Sequence, residues 1–177
     1  MANRYWVGGT GNWDATAGSK WSTTSGGAGG SAAPTAADDV YIDLGSGSVT
    51  VTVPASTTVV CRSLNFVDGT GGAFTGTFVM AATTSIITIG DGTAGAGNNA
   101  LKIASGMTWT NTAVGTINFI STSATQQTIT TAGKTMPSMV INGVGSSYVL
   151  GDALTQVITG VSTVFILQAG TFDTANY

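Results

Sequence analysis

The run SVTVTVP, residues 48–54, decides how this chain is read. Valine and threonine alternate through it with a period of two, which puts the valines on one face and the threonines on the other. Both residue types are β-branched and favour extended backbone. Upstream, DDVYID (38–43) has the same character. Downstream the pattern returns in TTVVCRSLNFVD (57–68), AFTGTFVMA (73–81), TSIITIGD (84–91), NALKIA (99–104), MTWTN (107–111), GTINFIST (115–122) and TQQTITT (125–131). It continues through SMVING (138–143), SYVLGD (147–152), TQVITG (155–160) and VFILQAGTFDT (164–174). No helical apolar period intervenes, so the chain is expected to be all-β.

Composition supports that reading. Charged residues make up 7% of the 177 positions, against about 25% in an ordinary globular domain. All eight acidic residues are aspartates, and the chain has no Glu and no His. Disorder is opposed by an apolar content of 42%. No apolar run approaches the roughly 18 residues of a membrane-spanning helix, and the Met-Ala-Asn-Arg start lacks a signal peptide's apolar stretch. A net charge of −3, with Arg4, Lys20, Arg62, Lys102 and Lys134 scattered, opposes nucleic-acid binding. Cys61 lies in an apolar strand-like run and reads as a small buried hydrophobe, with no His to activate it.

Short strands without helical crossovers leave three arrangements: a sandwich, an antiparallel barrel or a β-solenoid. The glycine-rich corners GSGS, DGTGG, GDGTAGAG, TAGK and GVGSS favour a β-helix or β-solenoid, a stack of short strands in which each coil covers the last. A β-sandwich is the alternative, since no strict repeat length is present. Residues 38–177 form the expected all-β domain. Residues 1–37 form a Trp/Gly-rich entry segment that caps the first coil or docks it to a partner. Trp6, Trp13 and Trp21 would each cover on the order of 200 Å² of apolar surface in a cap. The competing reading is a stacked platform for sugar rings.

The arrangement W-V-G-G-T-G-N-W-D…W-S…P-T-A-A-D-D-V-Y-I-D resembles the N-terminal entry motif of tailed-bacteriophage virion proteins and of related β-helical bacterial surface proteins. CRSLNF…GTF, GKTMPSMVING and VFILQAGTFDT are similar to the β-helical coils that follow the motif there. The resemblance covers nearly the whole chain. It implies a structural part of a virion: a capsid decoration or cement protein, a head fibre or a tail-fibre component. It also singles out Trp6, Trp13, Trp21, Pro34, Asp38 and Asp39 as cap or partner-contact residues.

Little in the sequence points to chemistry. Gly90-x-Gly92-x-x-Gly95 has the form of a dinucleotide fingerprint, but a strand-like run follows it where a phosphate-binding helix should begin. Asp39 and Asp43 would lie about 13 Å apart along one strand face, too far for a retaining glycosidase pair. Asp38, Asp39 and Asp43 lack the spacing of an EF-hand loop and read as strand-start residues. Gln126 and Gln127 offer either an internal amide ladder or an ordinary polar strand face.

The expectation is therefore a non-enzymatic virion protein on the phage particle surface, assembled in the host cytoplasm, with no cofactor and no metal. Its expected partners are the major capsid protein or other virion proteins, and copies of itself in a homotrimer. Nucleic acid and membrane are not expected partners. The alternative is a tail-fibre or adhesin module that binds host glycans through Trp109 or the entry tryptophans.

Overall fold

The computed structural model describes residues 1–13, 18–81, 84–111, 115–156 and 165–177. Asp14 of the entry motif, the end of TQVITG and the first residue of VFILQAGTFDT lie outside these. The regular structure of the described residues is almost entirely β. The first strands are β1 (Asn3–Trp6), β2 (Gly11–Asn12), β3 (Trp21–Ser22), β4 (Asp39–Tyr41), β5 (Thr50–Val53), β6 (Thr58–Cys61) and β7 (Ser63–Asn65). Then come β8 (Val67–Asp68), β9 (Gly72–Ala73), β10 (Thr77–Met80), β11 (Ile86–Ile89), β12 (Asn99–Lys102) and β13 (Thr108–Asn111). The last are β14 (Thr116–Phe119), β15 (Gln127–Thr130), β16 (Thr135–Met136), β17 (Ser138–Leu150), β18 (Thr155–Gln156) and β19 (Phe165–Asp173). Two short 3-10 turns, Leu44–Ser46 and Ala96–Asn98, are the helical elements among the described residues.

The largest sheet is open and curled, and runs β3-β1-β4-β7-β12-β15-β17-β14-β11-β6 with β19 beside β17. A second sheet runs β13-β10-β5-β2. Pairing is parallel throughout both, except where β3 turns back against β1. Strand period and pairing register together sort the side chains into columns. Val40, Leu64, Leu101, Ile129 and Leu150 make one. Val59, Ile87, Ile117 and Met139 make another, and Val51, Phe78 and Trp109 a third. Apart from Trp109, which is half-buried, these residues are buried and belong to one continuous core. The valines of SVTVTVP illustrate the rule: Val51 and Val53 are fully buried, while the alternating Thr50 and Thr52 are not.

Two features depart from a strand-by-strand reading of the sequence. SMVING and SYVLGD are a single strand, β17, whose first part pairs with β14 and whose last part pairs with β15. It bends through Gly143–Gly145, where Gly145 takes φ +78°, a left-handed value glycine accepts without a Cβ clash. The entry segment also carries strands. β1 pairs directly with β4 across the boundary that composition suggested at residue 37.

Candidate functional site

The entry tryptophans are core residues. Trp6 and Trp21 are fully buried and Trp13 is 4% exposed. The antiparallel pairing of β1 with β3 places Trp6 opposite Trp21, and the rings meet edge to face at 5.2 Å. Trp13 also meets Trp21, at 5.1 Å, and its backbone N–H donates to the Thr52 carbonyl at 2.7 Å. Trp6 Nε1–H donates to the Gly9 carbonyl at 2.8 Å, so its burial leaves no unmet donor. The Lys20 ammonium lies 5.6 Å from the Trp6 ring centre, within cation–π range. A sugar platform needs exposed ring faces, and these three rings do not offer them.

Pro34, Asp38 and Asp39 are buried as well. Adjacent in sequence, the two aspartates point to different partners because strand side chains alternate. Asp38 Oδ1 accepts from the Ala2 N–H at 3.0 Å. Its Oδ2 accepts from the Thr35 N–H at 3.0 Å and the Thr35 hydroxyl at 2.8 Å. Arg4 stands 3.9 Å away. Burial pushes the Asp38 carboxyl up, but these hydrogen bonds and the Arg4 charge outweigh it and hold the group below the usual carboxylate range.

Asp39 ties strands together in the other direction. It accepts from Ser63 Oγ at 2.6 Å, from the Ala96 N–H at 3.2 Å and from Arg62 Nε at 3.1 Å. Arg62 Nη2 completes a forked ion pair with the second carboxylate oxygen. Asp43, on the same strand run, is fully buried, and among the described residues neither carboxylate oxygen has a hydrogen-bond partner. The described residues bring no three acidic, Cys or His side chains together as a metal cluster.

The other candidates separate. Gly90, at φ +121°, forms a corner after β11, and the glycine-rich text leads into a three-residue 3-10 turn and then β12, with no α-helix to hold a phosphate. Gln127 is buried and its Oε1 accepts from the Gly95 N–H at 3.2 Å, whereas Gln126 is exposed. Cys61 is fully buried, and burial pushes its thiol far above the ordinary range. A polar trough of about 440 Å³ opens beside β13, between Met107–Asn111 and Gly133–Thr135. Trp109 lines it, half-buried, with its Nε1–H buried and without a partner among the described residues.

No protein-family model matches the chain, and neither a curated protein nor a solved structure does.

Proposed function

We propose that this protein is a non-enzymatic structural component of a tailed-phage virion, and that its parallel ladders are the coils of a β-solenoid capped by the entry tryptophans. Parallel stacking in matched columns favours the solenoid over a sandwich, which is built from antiparallel sheets. The observation that carries the functional reading is the fate of the entry motif. Trp6, Trp13, Trp21, Pro34, Asp38 and Asp39 are all buried, so the motif is spent on architecture. Contact then falls to an outer surface of threonine, serine and glycine that carries little charge.

The role is capsid decoration, with the major capsid protein as partner and a homotrimer as the binding unit, on the particle surface. A protein that binds the assembled shell and not its free subunits stabilises that shell by mass action, by about 2.7 kcal/mol per site at a hundredfold excess over Kd. Three linked copies raise the effective local concentration further. Few charges imply weak dependence on salt. Heating shells that lack the protein, with and without purified protein added, tests this. The expected result is a rise in disruption temperature that saturates with added protein and persists in high salt. An unchanged temperature at saturating protein contradicts it.

A second reading, a tail-fibre or adhesin module that binds host glycans, is favoured by the exposure of Trp109 in the trough beside β13. Trp109→Ala would then abolish binding to host cells.

A further inference from the structure

A second cleft lies on the outer face of the large sheet. Val40, Leu64 and Leu101 point into the core, so by alternation Tyr41, Asn65 and Lys102 stand on the opposite face. They occupy matched positions on β4, β7 and β12 and form the floor of the cleft. Tyr5 extends the row on β1, its ring stacked on Tyr41 at 4.8 Å. Asp68 and Gly69, from the β8–β9 hairpin, make one wall. Ala96 and Gly97, from the 3-10 turn, make the other. Two loops distant in sequence thus rise from the sheet to enclose about 230 Å³.

The polar groups here are held in place by hydrogen bonds; Asp68, Asn99 and Lys102 are partly exposed at the walls and floor, whereas Asn65 is 2% exposed and lines the floor from below. Asn65 Nδ2 donates to the Val40 carbonyl at 3.4 Å and to Ser63 Oγ at 2.8 Å. Asn99 Nδ2 donates to the Ala96 carbonyl at 3.0 Å. Asp68 Oδ2 accepts from the Thr70 hydroxyl at 2.7 Å, the Gly71 N–H at 3.2 Å and the Tyr5 hydroxyl at 3.3 Å. The side-chain oxygens of Asn65 and Asn99 accept no hydrogen bond among the described residues, and the three bonds above leave Asp68 Oδ1 toward the cleft. Burial pushes the Asp68 carboxyl up, and the Thr70 hydroxyl and backbone N–H, the Gly71 N–H and the Tyr5 hydroxyl more than reverse this, so it is ionised at neutral pH. Lys102 makes no ion pair among the described residues and supplies a free ammonium.

We propose that this cleft binds one neutral pyranose unit of a glycan, with Asp68, Asn65 and Asn99 accepting from its hydroxyls and Lys102 donating to their oxygens. A hydroxyl both donates and accepts, which suits a wall that presents fixed acceptors beside a cation. Asp68 disfavours an anionic ligand and Lys102 a cationic one. An extended peptide would seek a free sheet edge, whereas β4, β7 and β12 are each paired on both sides. The volume is below the roughly 300 Å³ at which pockets for drug-sized ligands begin, so a compact ring fits. The site is distinct from the Trp109 trough and does not depend on shell binding.

The test is an amide-detected NMR titration of the full chain with glucose, galactose, mannose and N-acetylglucosamine in turn. At least one sugar should give saturable shifts at the Asn65 and Asn99 side-chain amides, at an affinity of about millimolar, where a few hydrogen bonds place a monosaccharide. Lys102→Ala, which leaves the hairpin bonds of Asp68 intact, should weaken that affinity about tenfold or more, as should Asp68→Asn. Both variants should keep the parent's tryptophan-region spectrum, and Lys102→Ala should bind shells as the parent does. The proposal is overturned if none of the four sugars shifts these amides, if the shifts map to Trp109 instead, or if Lys102→Ala binds sugar as tightly as the parent.

Discussion

Trp21 is the shared partner of two other tryptophans: Trp6 meets it at 82° and Trp13 at 64°, both with ring centres near 5 Å. Edge-to-face pairs of this kind add about 0.5–1.5 kcal/mol each beyond the area they bury. One residue therefore ties together three parts of the entry segment: β1, β3 and the turn after β2. Trp21→Ala should cost about 3–5 kcal/mol, seen as a lower denaturant midpoint. Trp13→Ala, which removes one ring contact at the margin, should cost less. Equal melting of either variant and the parent would mean the cluster is not part of the cooperative core.

Acid should loosen the same region. The folded Asp38 carboxyl lies below its unfolded value of 3.8, and Asp68 is lowered in the same way. A depressed carboxyl contributes stability above its unfolded pKa and loses it as pH falls through the folded value. Stability should thus be flat near neutrality and decline below about pH 4. Asp38→Asn should lower stability at pH 7 by about 1–3 kcal/mol, because Nδ2 cannot accept from Thr35, and should flatten the acid limb. A titration curve of the same shape in the variant would assign the acid sensitivity elsewhere.

Arg62 and Asp39 form an ion pair in which Asp39 is buried and Arg62 largely so. Arg62→Ala would leave the Asp39 carboxylate without its cation, at a cost of about 3–5 kcal/mol. Ser63 and the Ala96 N–H still donate to it, so the lower figure is expected. Chemical denaturation reads this directly.

Corners should be as sensitive as the core. Gly90 takes φ +121°, and a Cβ there would run into the Ser121 backbone. Gly90→Ala should destabilise by more than about 1 kcal/mol, unlike the few tenths expected at an open site. Gly133, also left-handed but with open space around it, is the control and should cost less.

The Cys61 thiol should be silent in the folded protein. It is fully buried and its thiolate is disfavoured. A thiol reagent should modify one site per chain, only after denaturation. Fast labelling under native conditions would show that this strand opens readily.

Most strands were legible because their alternation is strong. TVTV, TVVC and IITI each put every second residue into the core. The entry strands were not, since β1–β3 are two to four residues long in glycine-rich text and show no period. The fusion of two apparent strands into β17 also escaped, because the glycine bend reads as a break while backbone pairing continues through the strand on either side. The six motif residues could be singled out individually, but not the division of labour between Asp38 and Asp39. The cleft over Tyr41 was invisible for a different reason. Its walls come from the 67–73 hairpin and the 96–98 turn, and only the register of β4, β7 and β12 brings them together.

The proposed role requires that the protein bind an assembled shell. Co-sedimentation of the purified chain with empty phage shells, with intact host cells as the parallel sample, decides this. Saturable binding to shells and none to cells is the predicted result. Binding to cells with none to shells would contradict it and move the protein to the tail.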